Sequence, residues 1–152
     1  MTRCIITCMH AYQSFGQQFY EPILDFFLQT IKKYENEYDM VYLLEDTNWI
    51  IDSKKIEGMK ATILRVNPSL RYYDAYKEVL PQIKEDLVLF MDNDMMVYGE
   101  GEIARTFTLL NNPFPDEETY DVVSIYDTIG EYQTDRLNGK NKFCPYWFAT
   151  RK

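Results

Sequence analysis

The chain has 152 residues, 46% of them apolar, and this length predicts one domain spanning residues 1–152. Its net charge is −8 with a pI near 4.7, and no run of Lys or Arg exceeds two residues, which disfavours nucleic acid and anionic membranes as partners. No apolar run approaches the ~18 residues of a membrane span, and three cysteines without CxxC spacing predict reduced thiols in a cytoplasmic protein rather than a disulfide framework.

The first third of the chain predicts two strands separated by a helix. Arg3–Met9 is predicted as the first strand, and a polar turn follows from His10 to Gln18. A helix is predicted from about Tyr20 to Tyr34, because its apolar residues recur at helical spacing and Pro22 suits a first helical turn. Asp39–Asp46 is predicted as the second strand, and it ends in two acidic residues.

The middle of the chain predicts two more strands around a second helix. Asn48–Met59 is ambiguous and fits one short helix, whereas Ala61–Val66 is predicted as the third strand. A helix is predicted to start at Asn67 as its cap, and Pro81 should kink it or end its regular part. Leu87–Met91 is predicted as the fourth strand, buried on both faces because all five residues are apolar.

The last third continues the alternation less regularly. Met95–Tyr98 is predicted to extend the fourth strand in a new direction, and a helix is predicted over Glu102–Leu110. Tyr120–Tyr126 is predicted as a fifth strand and Phe143–Thr150 as the last, with a polar loop, Asp127–Asn141, between them. This order predicts an α/β fold, a mostly parallel, Rossmann-like twisted sheet that is flanked by helices.

Two carboxylates follow the fourth strand directly. Leu87–Met91 leads into Asp92, Asn93 and Asp94, so the acidic pair lies at the carboxyl end of a buried strand, where open α/β sheets bind ligands. If the strand continued through the pair, both side chains would point the same way. Two like charges there favour a hard divalent cation and a phosphate-bearing ligand. The alternative is a pair of solvated turn residues or a helix cap.

The surrounding sequence resembles a known enzyme family. Arg71–Pro81 fits a helix with an early basic residue that ends in Leu-Pro, and Asp86–Val97 fits a strand that runs into a D-x-D motif. Together they resemble the donor-binding half of GT-A-fold glycosyltransferases, in the pattern of retaining, glycogenin-like and lipopolysaccharide galactosyltransferase-like enzymes. The resemblance covers roughly residues 3–110. It implies metal-dependent sugar transfer from a nucleotide-diphosphate donor, with a UDP-sugar expected, to an unknown glycan, lipid or protein acceptor.

The same resemblance implies a metal site and part of a donor site. Asp92 and Asp94 would bind Mn²⁺ or Mg²⁺ that bridges the diphosphate, and Asp92 or Asn93 would contact ribose or sugar hydroxyls. Thr7 and His10, at the end of the first strand, would lie near the base. His10 also fits an ordinary turn residue.

Three further residues complete the set that the resemblance implies. Glu45 or Asp46 would hold the base or the ribose, and Arg71 would reach the phosphates or the donor sugar. Each also has a simpler interpretation, a polar strand end for the two acids and a surface side chain for Arg71.

The catalytic base is unknown. Asp127, Glu131 and Asp135 are candidates for an inverting enzyme, but no motif selects one of them from the polar loop. The Asn-Ala-Gly signature of the family is absent, with Phe148-Ala149-Thr150 in its place, so the chain is either a compact member or a piece of a longer protein.

Two other functions stay open. One is a non-catalytic or incomplete nucleotide-sugar-binding domain. The other is a sugar nucleotidyltransferase, which should carry a Gly-rich, basic phosphate loop near the first strand, whereas residues 7–18 contain only Gly16 and no Lys or Arg.

Overall fold

A computed structural model of the chain describes residues 1–9, 17–47, 49–70, 72–93, 95, 97, 99–111, 122–124 and 147–152. Strands and helices alternate along these segments as the sequence predicts. Their bounds are β1 Arg3–Cys8, α1 Gln17–Lys33, β2 Met40–Glu45, β3 Ala61–Arg65, α2 Tyr72–Val79, β4 Leu87–Met91, α3 Glu102–Asn111, β5 Val122–Ser124 and β6 Trp147–Arg151. In this part of the chain, no helix is both long and apolar enough to cross a membrane.

The strands form one mixed sheet in the order β3-β2-β1-β4-β6-β5. The first four strands are parallel, which confirms the predicted α/β fold with a mostly parallel, Rossmann-like sheet. β6 runs antiparallel between β4 and β5, a direction that the sequence pattern does not encode. The chain moves from β1 to β2 on one side and later returns to β4 on the other, so the strand order reverses between β1 and β4.

The two faces of the sheet are covered by different helices. α1 and α3 pack on one face, and α2 packs on the other, because alternate strand residues point to opposite faces. The core on the α1 face includes Ile5, Met9, Leu24, Phe27, Ile31, Leu43, Leu89, Met91, Ile103 and Phe107. The core on the α2 face includes Cys4, Ile6, Cys8, Leu44, Ala75, Tyr76, Val79, Val88 and Phe90.

Two predicted helix starts are wrong. α1 begins at Gln17, earlier than expected, so Pro22 lies inside the helix rather than in its first turn. Pro22 is exposed, and the bond that its missing N–H removes lies close to the helix start. α2 begins at Tyr72, because Asn67 closes a turn in which its side-chain oxygen accepts from the Ser69 N–H at 2.9 Å and its carbonyl from Leu70.

The remaining connections differ from the predictions in detail. Pro81 ends regular α2, as predicted, within a short 3₁₀ helix over Leu80–Gln82. The ambiguous stretch before β3 contains a 3₁₀ helix, Ser53–Ile56. The predicted turn after β1 and the polar loop Asp127–Asn141 fall largely or wholly outside the described residues, as does half of Met95–Tyr98.

Acidic side chains tie together the amino ends of the strands, a region that we call the amino edge (residues 2–3, 37–39, 85–86 and 152). Asp86 accepts from the Thr2 N–H at 2.8 Å and from the Thr2 hydroxyl at 3.2 Å. Asp39 accepts from the Arg3 N–H at 2.8 Å, and the Lys152 N–H donates to the Asp86 carbonyl at 3.0 Å. Neighbouring strands are therefore fastened side by side at this edge.

A buried carboxylate links the turn before β2 to α3. Glu37 accepts from the Gly101 N–H at 2.6 Å and from the Ala104 N–H at 3.0 Å. These N–H groups lie at the start of α3, where a helix lacks internal acceptors. Gly101 has a φ of +86°, a conformation that favours glycine, so the approach to Glu37 depends on that residue.

Candidate functional site

The carboxyl ends of the four parallel strands meet at the opposite edge of the sheet, which we call the carboxyl edge (residues 7–9, 45–47, 49–51, 65–66 and 91–93). Glu45 pairs with Arg65 in the β2–β3 register, and Cys8 pairs with Leu44 across β1 and β2. This edge contains the point between β1 and β4 where the strand order reverses. Doubly wound sheets bind their ligands at this position.

Asp92 lies directly beyond β4, at the point of strand reversal. β4 ends at Met91, Asp92 is partly exposed, and the Met95 N–H donates to the Asp92 carbonyl at 3.1 Å. Asn93 lies in the resulting turn. The extended strand therefore stops before the acidic pair, because Asp and Asn favour turns. The sequence expectation that the two acidic side chains point the same way required the strand to continue through the pair, and this condition is not met. Asp94 is outside the described residues.

The Cys8 thiol lies near two of the carboxylates. Burial, with a smaller contribution from the negative charges of Asp46 and Asp92, raises the pKa of Cys8 to about 12. Both carboxylates act on the same thiol, so both lie near it, on the face that α2 covers. Two carboxylates near one buried thiol make this part of the edge favourable for a cation.

Glu45 is buried and both of its carboxylate oxygens are occupied. Oε1 accepts from Nε and Nη2 of Arg65 at 3.3 and 2.8 Å, and Oε2 accepts from the Ile51 N–H at 2.8 Å. The Arg65 side chain is 59% exposed, whereas that of Glu45 is 8% exposed. The predicted contact between Glu45 and a base or ribose stays a prediction, but these oxygens already have protein partners.

Asp46 is also buried and holds the same segment as Glu45. Its Oδ1 accepts from the Trp49 N–H at 3.0 Å, and the two residues form an isolated β-bridge. The Trp49 ring lies against Tyr20, with 5.2 Å between ring centroids. The sequence predictions included neither Trp49 nor Arg65. Arg65 could have been found from the sequence, because it is a basic residue at the end of predicted strand β3, and the preceding strand β2 ends in acidic residues.

Two buried donors at the carboxyl edge have no hydrogen-bond partner among the described residues. They are the Thr7 hydroxyl and the Trp49 indole N–H, and both residues are fully buried. A buried donor without a partner costs about 1–3 kcal/mol. Thr7, which was predicted to lie near a base, therefore keeps an unused hydroxyl at the edge where a ligand would bind.

The structure describes only part of the predicted site. It brings Thr7, Asp46, Asp92 and Asn93 to one edge, with Glu45 beside them. His10, Arg71, Asp94 and the base candidates Asp127, Glu131 and Asp135 fall outside the described residues. Within the segments that are described, no three His, Cys, Asp or Glu side chains form a metal-binding group. The oxygen ligands that Asp92 offers fit a hard divalent cation.

No protein-family model and no curated protein matches this sequence. Its fold, however, matches solved structures of GT-A-type glycosyltransferases. One is a mannosyltransferase from Pyrobaculum calidifontis in complex with GDP-Man and Mn²⁺, with a TM-score of 0.68, 14% identity and coverage of 98% of this chain and 44% of that one. Another is glucosyl-3-phosphoglycerate synthase from Mycobacterium tuberculosis in complex with Mn²⁺, UDP and phosphoglyceric acid, with a TM-score of 0.64, 12% identity and coverage of 99% and 55%.

The fold is also shared with nucleotidyltransferases. 4-Diphosphocytidyl-2C-methyl-D-erythritol synthase from Anaerococcus prevotii matches with a TM-score of 0.57, 17% identity and coverage of 99% of this chain and 71% of that one. The chain has the GT-A-like fold that the sequence resemblance implies, and it spans about half the length of the two glycosyltransferases.

Proposed function

We propose that residues 1–152 form a single nucleotide-sugar-binding domain that transfers a sugar, with Mn²⁺ or Mg²⁺, from a nucleotide-diphosphate donor to an acceptor. The observation that carries this proposal is the position of Asp92. It lies at the reversal point of a GT-A-like sheet, partly exposed and near enough to the Cys8 thiol for its charge to act there. Two glycosyltransferases of this fold were solved with Mn²⁺, one with GDP-Man and one with UDP.

The chain's own residues then have distinct roles. Asp92 and Asp94 would hold the cation, which as a Lewis acid would stabilise the charge that grows on the leaving diphosphate. The Asn93 turn would contact ribose or sugar hydroxyls, and the unused Thr7 hydroxyl would donate to the base.

His10 and Arg71 complete the proposal. His10 would lie near the base and Arg71 would reach the diphosphate or the donor sugar, as the family resemblance implies. We take a UDP-sugar as the donor, on the resemblance of residues 71–97.

The test is calorimetric titration of UDP with and without Mn²⁺. Three proteins are compared: the native chain, Asp94→Ala, and Glu78→Ala as a matched control, because Glu78 is an exposed acid on α2. Mn²⁺-dependent binding that is lost in Asp94→Ala and kept in Glu78→Ala supports the donor site. Binding that ignores both Mn²⁺ and Asp94→Ala contradicts the metal role, and no binding to the native chain contradicts the donor site itself.

Turnover separates an enzyme from a binding domain. Slow hydrolysis of a UDP-sugar without acceptor, abolished by Asp94→Ala, supports a transferase. Tight donor binding with neither hydrolysis nor transfer supports a non-catalytic or incomplete domain, since the chain spans about half of the mannosyltransferase and of the glucosyl-3-phosphoglycerate synthase.

A sugar nucleotidyltransferase is the second candidate, because the chain spans 71% of the erythritol synthase, a larger share than of either glycosyltransferase. Such an enzyme joins a nucleoside triphosphate to a sugar phosphate or related phosphate and releases pyrophosphate. Pyrophosphate release from CTP or UTP with a panel of sugar phosphates would favour it. Residues 7–18 lack the basic, Gly-rich loop that this reaction uses, so we expect no release.

A further inference from the structure

We infer that Arg65 binds the nucleobase of the donor and that Glu45 acts as its positioning residue. The inference rests on the proposed function and names the part of the donor that the β3 end would recognise. It also reverses one expectation from the sequence, in which Glu45 itself contacts the base or ribose.

The position of Arg65 is the first step. Arg65 is the last residue of β3, and three strand spacings separate β3 from β4 in the sheet. With about 4.8 Å per spacing, the two strand ends are about 14 Å apart. An extended nucleoside diphosphate has a comparable length. If its diphosphate lies over Asp92 at the end of β4, its base reaches toward the ends of β2 and β3.

The hydrogen bonds around Arg65 are the second step. Nε and Nη2 both donate to the same oxygen of Glu45, which uses two of the five N–H donors of the guanidinium and fixes its plane. The other Glu45 oxygen accepts from Ile51, so the carboxylate has no oxygen left without a protein donor. Glu45 therefore holds Arg65, and Arg65 presents its remaining donors to solvent.

The energetics of this pair are the third step. An ion pair with an exposed arginine contributes little to stability, whereas burying a carboxylate is costly. Folding alone therefore gives a weak reason for the arrangement. At the described part of the carboxyl edge, Arg65 is the one cation beside the carboxylates Glu45, Asp46 and Asp92, so it is suited to a ligand that accepts hydrogen bonds.

The chemistry of the bases defines the expected selectivity. Uracil, cytosine and guanine each carry a carbonyl oxygen that a guanidinium N–H can reach, and guanine offers the O6 and N7 pair. Adenine has no carbonyl, and its amino group lies beside N7 as a competing donor. Arg65 should therefore favour carbonyl-bearing bases over adenine.

The experiment is calorimetric titration with Mn²⁺ of UDP, GDP, ADP and inorganic pyrophosphate. The proteins are the native chain, Arg65→Ala, Arg65→Lys, Glu45→Gln and, as a matched control, Lys54→Ala, an exposed cation between β2 and β3. We expect Arg65→Ala to weaken UDP binding by about 10- to 100-fold, the range for a hydrogen bond from a charged donor, and to leave pyrophosphate binding unchanged. The preference for UDP over ADP should shrink by the same factor.

The other variants separate positioning from fold. Arg65→Lys keeps the charge without the planar fork, so it should restore part of the UDP affinity. Glu45→Gln should weaken UDP binding by less than Arg65→Ala, again without effect on pyrophosphate, and Lys54→Ala should change nothing. A thermal midpoint measured for each variant identifies any loss through unfolding.

Two results would overturn the inference while the proposed function stands. One is unchanged UDP affinity in a folded Arg65→Ala or Arg65→Lys variant, and the other is an equal loss for UDP and pyrophosphate, which would place Arg65 on the phosphates. Failure of the native chain to bind any nucleotide with Mn²⁺ would instead remove the proposed function, and the inference with it.

Discussion

The two edges of the sheet use the same residue types for different purposes. At the amino edge, Asp39 and Asp86 accept from backbone N–H groups of the neighbouring strand and fasten the sheet. At the carboxyl edge, Asp92 is partly exposed beside a buried thiol, and the Thr7 hydroxyl has no partner among the described residues. The difference indicates that the amino edge uses its polar groups to stabilise the fold, whereas the carboxyl edge keeps a buried hydroxyl without a partner in the described part of the chain.

The largest expected effect compares two thiols on β1, Cys4 near the amino edge and Cys8 at the carboxyl edge. Burial raises the pKa of both. A rise from 9.0 to about 12 lowers the thiolate fraction of Cys8 near pH 8 by about 1,000-fold. In a Cys144→Ser background, both thiols should react with an aromatic disulfide reagent at least that much more slowly in the native chain than in denaturant.

Asp92→Asn sharpens that comparison. Asp92 raises the pKa of Cys8 but is not among the charges that act on Cys4, so the substitution should accelerate the Cys8 reaction alone. Mass spectrometry of the labelled peptides assigns each rate. Rapid reaction of Cys4 or Cys8 in the native chain would contradict their raised pKa values. Equal acceleration of both thiols in Asp92→Asn would contradict the placement of Asp92 near Cys8 alone.

A second test removes the buried carboxylate near the amino edge. Glu37→Ala leaves the Gly101 and Ala104 N–H groups without their acceptor, so we expect the free energy of unfolding to fall by about 2–3 kcal/mol. Urea denaturation measures the change. Glu35→Ala, at an exposed site two residues earlier, should stay within about 0.5 kcal/mol. Nucleotide affinity should be the same in both variants. A loss of nucleotide affinity in Glu37→Ala alone would contradict the assignment of ligand binding to the carboxyl edge and of fold stability to the amino edge.

A third test substitutes two fully buried threonines. Thr7→Val removes a hydroxyl without a partner and should raise the free energy of unfolding by about 1 kcal/mol, while weakening Mn²⁺–UDP binding. Thr106→Val removes a hydroxyl that donates to the Glu102 carbonyl at 2.9 Å, and should lower stability by about 1 kcal/mol without affecting binding. Chemical denaturation and calorimetry give both quantities. If the free energy of unfolding changed in the same direction in both variants, the Thr7 hydroxyl would not be a group without a partner at the carboxyl edge.

The smallest expected effect is a pH dependence at the amino edge. The hydrogen bond from the Thr2 N–H holds the pKa of Asp86 below its usual 3.8. The charged form therefore contributes stability above about pH 3.8, and that contribution is lost as the pH falls through the folded-state pKa. The stability difference between the native chain and Asp86→Asn should be largest near neutral pH and should shrink below pH 4. Urea titrations at several pH values would show a constant difference if the account is wrong.

Local patterns in the sequence predicted the elements whose burial is uniform. β4 was predicted with its observed bounds, because five consecutive apolar residues suit a strand that is buried on both faces. The start of α2 was missed, since Asn67 is as suitable for a turn as for a helix cap. The antiparallel direction of β6 could not be predicted, because apolar periodicity is the same for either direction.

For the candidate site, the sequence likewise predicted which residues share an edge of the sheet but not the hydrogen bonds between them. Parallel strand order places Asp46 and Asp92 at one edge, and the structure has them there, both acting on Cys8. The bonds from Arg65 and Ile51 to Glu45 were not predictable, since they depend on the register of β3 and on the path of the segment after Asp46. Whether these residues bind a nucleotide stays a prediction.

The position of β6 has a consequence for the order in which the chain can fold. β6 lies between β4 and β5, so among the described strands β5 has no sheet neighbour, and β4 has a free edge, until residues 147–151 have left the ribosome. A nascent chain up to that point can assemble only β3, β2, β1 and β4, with β4 open to pairing with another chain. The pairing of β6 is therefore a long-range step in which a later strand closes a gap between two earlier ones.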